Sequence, residues 1–169
     1  MKDNEVEVKV EICREDVKLP EYANPWDAGM DVRAAETVEI AAGETKIVPT
    51  GLKFAIPEGY EIQVRPRSGL SLKTPLRISN SPGTIDCGYR DELGIIITNA
   101  SPVIFENNKN QNVYKVSGDK HGYGTYIIDK GDRIAQIVLQ KVPRIKFKLV
   151  QSVKDYGTDR KGGFGSTGV

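Results

Sequence analysis

Apolar side chains fall at every second position in three stretches: Val6, Val8, Val10 and Ile12; Tyr60, Ile62 and Val64; and Ile145, Phe147 and Leu149. A period of two is that of a pleated strand with one buried face, so each stretch predicts a half-buried strand. Between them lie short β-branched runs, "TVEI", "KIVP", "LKFAI", "GIIITN", "TYII" and "RIAQIVL", punctuated by "AAGE", "PEGY", "SPGT" and "DKGD". Strands at intervals of about eight to twelve residues, with Gly and Pro at the turns, predict an all-β protein of the sandwich, jelly-roll or small-barrel kind. No segment sustains a 3.6-residue period over three turns. The one helix predicted is short and begins near Ser68, where "RSGLSLK" follows Pro66.

Residues 101–126 break this rhythm. They are rich in Asn, Lys and Gly, with a strand candidate at 113–116, and predict an exposed hairpin or long loop. The expected organisation is one domain over 1–155 carrying that insertion, followed by a Gly-rich tail over 156–169.

Composition narrows the chemistry. The 169 residues include 24 basic and 23 acidic side chains, so no global field favours duplex nucleic acid or an anionic membrane surface. No stretch approaches the roughly 18 apolar residues of a spanning helix, and the start lacks a secretory apolar run, which predicts a cytoplasmic protein, in the host cytoplasm if virally encoded. Two cysteines, Cys13 and Cys87, and one histidine, His121, fall short of the about four ligands of structural zinc. Cys87 reads as a small buried residue. A lone histidine without a Gly-x-Ser-x-Gly or papain-like context also argues against a Ser-His or Cys-His nucleophile. Catalysis here calls for carboxylates or a metal.

Five stretches concentrate charge, glycine and special backbone residues: "AGMDVRAA" (28–35), "RPRSGL" (65–70), "NSPGTIDCGYRDE" (80–92), "DRIAQIVL" (132–139) and the ending "KGGFGSTGV" (161–169). In the second, a guanidinium, a hydroxyl and a glycine meet at a helix start, an arrangement suited to an anion and equally to a strand end with a serine N-cap. The third carries turn residues around Asp86 and Tyr89: a carboxylate able to orient or deprotonate water beside a ring able to pack against a flat substrate, or else a turn Asp and a surface Tyr. In the fourth, Arg133 and Gln136 are out of place in a buried strand unless one face borders a polar pocket. In the tail, Phe164 can stack on a base, while Ser166, Thr167 and the glycine amides can wrap phosphates.

Taken in order, these stretches resemble the five motifs of the trimeric dUTPases over residues 28–168. The resemblance implies a jelly-roll homotrimer with sites shared between subunits, Mg2+, and hydrolysis of dUTP to dUMP and pyrophosphate. By that resemblance Asp86 orients and activates the water that attacks the α-phosphorus, and Tyr89 packs beneath deoxyribose and rejects a 2′-hydroxyl. Asn80, with the hairpin backbone at Gly83 and Ile85, reads uracil and crowds out a 5-methyl group. Arg67, Ser68 and Gly69 take phosphate-contacting positions, and Gln136 one near the α-phosphate. Asp31 and Arg133 form an organising layer behind them. Arg160, Phe164, Gly165, Ser166 and Thr167 belong to a lid that crosses to a neighbouring subunit's site. Magnesium is implied on the triphosphate oxygens, held to protein through water, so no direct protein ligand is expected.

Three features depart from the family pattern. Arg160 and Phe164 stand one residue closer than usual, so Arg160 reaches the γ-phosphate differently or Lys161 assists. Asp91 replaces a usual glycine, either as a solvated charge or as a perturbation of Asp86. The 101–126 connection is longer than the compact one common in the family. Two other functions fit part of the pattern: a dCTP deaminase or bifunctional relative of the same fold, against which "RSGL", Tyr89 and "GGFGSTG" argue, and a nucleotide-responsive module that recruits a protein partner through 101–126.

Overall fold

The structure, a computed structural model, describes residues 5–103, 112–159 and 161–162. Twelve strands and one short helix follow the expected turns: β1 (Lys9–Ile12), β2 (Met30–Arg33), β3 (Val38–Ile40), β4 (Thr45–Pro49), β5 (Leu52–Ala55), β6 (Tyr60–Arg65), α1 (Ser68–Lys73), β7 (Leu76–Ile78), β8 (Gly83–Ile85), β9 (Gly94–Asn99), β10 (Val113–Lys115), β11 (Thr125–Ile128) and β12 (Arg133–Lys141). They form an all-β, jelly-roll-like stack of small sheets, ordered β2-β12-β6-β8, β4-β9-β7, β10-β11-β3 and β1-β5.

Alternation sets which side chains reach the core. In β9, "GIIITN" buries Ile95, Ile97 and Asn99 and turns the intervening residues outward. In β6, Ile62 and Val64 point inward and the polar Glu61, Gln63 and Arg65 share the other face. That outer face is itself a ladder, since Gln63 donates to Glu61 (2.7 Å) and Arg65 donates to Gln63 (2.8 Å). β12 departs from strict alternation. A bulge opposite β2 shifts its register between Arg133 and Ala135, so the successive residues Ile134 and Ala135 are both fully buried.

Two of the three alternating stretches differ from expectation. The first forms a strand only over Lys9–Ile12, and that strand is exposed on both faces, with Val10 39% and Ile12 48% accessible. The alternating Ile145, Phe147 and Leu149 do not make a strand: residues 142–150 have no ladder partner, and the three side chains are 79, 89 and 99% exposed. A strand needs an edge to pair with, and the last backbone bond tying this segment to the sheets runs from Val142 N–H to the Gly59 carbonyl (2.7 Å). Of the hairpin or long loop expected over 101–126, the described part holds one short strand that does not close an antiparallel hairpin. β10 runs parallel to β11, which pairs antiparallel with β3. The returning chain is pinned by buried polar groups: Asn99 Nδ2 donates to the carbonyls of Ile40 and Gly124, and Ser101 Oγ bonds both the N–H and the carbonyl of Gly124. Tyr126, wholly buried, stacks on Tyr114 at 5.5 Å. Tyr126 therefore belongs to the core, with the half-buried Tyr114 and Val116 packed against it, while most of the described insertion stays at the surface.

Candidate active site

The bulge in β12 has a chemical consequence. Three residues apart on a regular strand, Arg133 and Gln136 would face opposite ways; the extra residue resets the parity, and both reach Asp31 on β2. Asp31 is thus a hub. Its carboxylate accepts from Arg67 Nε (2.8 Å) and Nη2 (3.3 Å), from Arg133 Nη1 (3.3 Å) and from Gln136 Nε2 (3.3 Å). Burial alone pushes the Asp31 carboxyl up, but the hydrogen bonds and charge of Arg67, helped by Gln136 and Arg133, outweigh it, and the net pKa lies below the ordinary aspartate value. Gly29 of the first stretch lies against the fourth: a Cβ there would be in ordinary contact with Val138 Cγ2 (3.4 Å) and Gln136 Cβ (3.6 Å).

Arg67 is also the N-cap residue of α1, in extended conformation and with no side-chain cap, so the serine N-cap reading does not hold; Ser68 is the first helical residue. Helix geometry leaves the first-turn amides without intrahelical acceptors. At Gly69 a Cβ would meet nothing within 4 Å. Arg67 and Ser68 thus stand at the start of α1, with the Arg67 side chain on the Asp31 hub.

Asn80 and Gly83 also come together. A Cβ at Gly83 would lie 3.2 Å from Asn80 Nδ2 and 3.3 Å from Val64 Cβ, so the glycine makes room for the amide. β8 then carries Gly83, Thr84 and the half-buried Ile85 along β6, in register with Val64, Gln63 and Ile62. The chain turns immediately afterwards, with Tyr89 N–H donating to the Asp86 carbonyl (3.0 Å) and Arg90 Nη1 to the carbonyls of Cys87 and Tyr89. Asp86 is exposed and borders a cleft with Tyr60, Glu61, Cys87 and Arg144. Cys87 is a free, half-buried thiol packed against the core. Asp91 is exposed, and its charge acts on Lys53 of β5, whose pKa is raised mainly by the hydrogen bond to Glu11.

One chain does not unite all these residues. Asp86 follows Ile85, the partner of Ile62, and so stands beside Glu61, whereas Gln136 pairs with Arg65 at the other end of β6. Four residue steps along the strand and two strand spacings across put Asp86 and Gln136 about 16 Å apart. Arg160, Phe164, Gly165, Ser166 and Thr167 lie outside the described residues. Tyr60 and Arg144 beside Asp86, and Arg14 and Glu92 beside Tyr89, were not among the site residues expected from the sequence; Tyr60 and Glu92 lie in segments that drew notice for other reasons, and only register and packing show what the four touch.

Among the described residues no group of three His, Cys, Asp or Glu side chains could hold a metal, and both Asp31 oxygens already accept from cations or an amide.

The dUTPase family profile matches residues 15–116. A deoxyuridine 5′-triphosphate nucleotidohydrolase of Crocosphaera subtropica is 39% identical over 97% of this chain and all of its own length. That of Fusobacterium nucleatum is 43% identical over 95% of this chain and 97% of its own. Among solved structures, the dUTPase of Staphylococcus bacteriophage 80alpha with dUpNHpp superposes with a TM-score of 0.81 at 34% identity, covering 96% of this chain and 99% of the phage protein. The dUTPase of phage phi11 of S. aureus, described with a species-specific insert, gives 0.76 at 32% over 89% of this chain and 100% of its own. A jelly-roll-like fold, a matching family profile and relatives aligned over nearly full length agree: this chain belongs to the dUTPase family.

Proposed function

We propose that this protein hydrolyses dUTP to dUMP and pyrophosphate in a homotrimer whose sites are completed between subunits. The observation that carries the shared site is the distance between its two halves. The Asp86–Tyr89 turn and the Asp31 hub stand at opposite ends of β6, about 16 Å apart, too far for one α-phosphate to touch both. Apposition of two copies brings the turn of one against the hub of another. The exposed apolar row Ile145, Phe147 and Leu149 supports the same reading, because a solvated row of this kind marks a surface covered in an assembly.

In the reaction Asp86 accepts a proton from a water as its oxygen bonds the α-phosphorus. The bond from that phosphorus to the β-bridging oxygen breaks, and pyrophosphate leaves. Arg67, Ser68 and the amides of α1 hold phosphate oxygens, with Gly69 allowing close approach, and Gln136 places its amide near the α-phosphate. Asp31 and Arg133 fix the orientation of Arg67 and Gln136. The Asn80 amide, backed by Gly83, reads the edge of uracil, with the β8 backbone to Ile85 crowding a 5-methyl group. Tyr89 lies beneath the sugar. Phe164 stacks on the base while Arg160, Gly165, Ser166 and Thr167 close over the phosphates. Magnesium, if bound with the substrate through water, would supply positive charge against the phosphate oxygens.

Pyrophosphate release from dUTP, dCTP, dTTP and UTP, with and without magnesium and beside Asp86→Asn, tests this reading. Cleavage of dUTP alone, lost in Asp86→Asn by about 10²- to 10⁴-fold, is expected. Equal cleavage of UTP, deamination of dCTP, or an active Asp86→Asn protein overturns it.

A further inference from the structure

The N-terminal segment reaches the turn that carries Tyr89. β1 pairs along β5 from Lys9 opposite Ala55 to Ile12 opposite Leu52, and Cys13 N–H extends the ladder to the Gly51 carbonyl (2.9 Å). The next residue, Arg14, places its guanidinium across the far end of the catalytic segment. Its Nε and Nη2 form a fork on Glu92 Oε1 (2.7 Å) and Oε2 (2.9 Å), and its Nη1 reaches Glu36 Oε2 (2.8 Å). Gly51 N–H donates to the same Glu92 oxygen (2.7 Å). Gly51 is required at this crossing: its φ is +71°, and a Cβ would fall 2.4 Å from Val17 Cγ2.

Glu92 is therefore held from two sides, with its side chain only 24% exposed, and its main-chain carbonyl accepts the Tyr89 hydroxyl (3.0 Å). Leu93, next in line, is locked by N–H to the Leu52 carbonyl (2.8 Å) and by its own carbonyl to Thr50 Oγ1 (2.7 Å). One continuous path runs Glu36, Arg14, Glu92, Tyr89. Tyr89 is 39% exposed, and its hydroxyl is tied to the chain at the end of this path.

We infer that Arg14 is a positioning residue for the Tyr89 ring, acting through Glu92, and that it sets the preference for deoxyribose over ribose. The inference rests on the reading that Tyr89 lies beneath the sugar. Rejecting one hydroxyl by contact requires the ring to be held to within a few tenths of an ångström, a tolerance that a tethered phenol meets and a loose one does not. Loosening the ring admits UTP while leaving the water, the carboxylate and the phosphate contacts for dUTP in place.

The test is kcat/KM for dUTP and UTP in Arg14→Met, Arg14→Lys, Tyr89→Phe, Tyr89→Ala and the Arg14→Met/Tyr89→Phe pair, each with its melting temperature. Arg14→Met is expected to lower the dUTP-over-UTP ratio about tenfold, chiefly through a rise for UTP, with Arg14→Lys between it and the parent because a lysine cannot reproduce the fork. Tyr89→Phe cuts the same path, so the double variant is expected to be no less selective than the worse single one. An unchanged ratio in Arg14→Met and Arg14→Lys, whatever happens to melting, overturns the inference, as does full additivity in the double variant. If Arg14→Met does not fold, Arg14→Lys and Tyr89→Phe decide the matter. If Tyr89→Ala leaves the ratio unchanged, the sugar-packing reading itself has failed; if Tyr89→Ala moves it and Arg14 does not, only the positioning role has.

Discussion

Replacing Gly69 with alanine separates the needs of the fold from those of the substrate. The residue is the second of α1, with φ outside the left-handed region, and an added Cβ meets no atom of the chain within 4 Å. The chain therefore suffers no clash, and exchanging glycine for alanine in a helix favours the folded state by about 0.5–1 kcal/mol, nearer the lower figure in a first turn. For a protein of this size that is a rise in melting temperature of about 1–3 °C. The same methyl group stands on the first turn whose amides are proposed to hold phosphate, where an oxygen at hydrogen-bond distance cannot tolerate it. A fall in kcat/KM for dUTP of about tenfold or more is expected, measured as pyrophosphate release beside a thermal melt. A more stable protein with unchanged turnover shows that no phosphate approaches Gly69. A lower melting temperature shows that the open space is filled in the assembled protein, and either result refutes the reasoning.

Asp31→Asn keeps the shape of the hub but leaves Arg67 and Arg133 without their counter-charge; a loss of about 1–2 kcal/mol in denaturant unfolding is expected, with turnover reduced through misplaced Arg67 and Gln136. The pH dependence has a definite sign. Because the folded pKa of Asp31 is lowered, its contribution to stability is present above the unfolded value of about 4 and is lost as pH falls through the folded value. Melting curves of the parent and Asp31→Asn should accordingly converge at low pH and diverge above about pH 4. Gly83→Ala presses on Asn80 Nδ2 at 3.2 Å and on Val64 Cβ at 3.3 Å, and is expected to raise KM for dUTP with a stability loss of about 1 kcal/mol, seen by paired kinetics and melts. Removal of 162–169 is expected to abolish most turnover while gel filtration and melting stay as in the parent.

Much of the fold was legible because strand signals are local. The alternation of Tyr60, Ile62 and Val64 became β6, and the runs "KIVP", "GIIITN" and "RIAQIVL" became β4, β9 and β12. Ile145, Phe147 and Leu149 carry the same period and form no strand, because pairing depends on an edge elsewhere and not on the segment itself. The parallel pairing of β10 with β11 was equally out of reach, since its direction is set by the non-local ties of Asn99 and Ser101 to Gly124. At the site, residue types and order pointed to Asp31, Arg67, Gln136, Asn80 and Asp86, yet not to their geometry. The β12 bulge that turns Arg133 and Gln136 to one face has no glycine to announce it, and the fork of Arg14 on Glu92 joins residues 78 positions apart.

The shared site is tested most directly by co-expressing two inactive chains, Asp86→Asn and Arg67→Met, under separate tags and purifying trimers that carry both. If the Asp86 turn and the Arg67 hub of one site come from different subunits, every mixed trimer regains one of its three sites, and dUTP turnover should reach about one third of the parent's. If both halves of each site come from one chain, every site keeps a defect, and the mixed trimers will be no more active than the two variants alone.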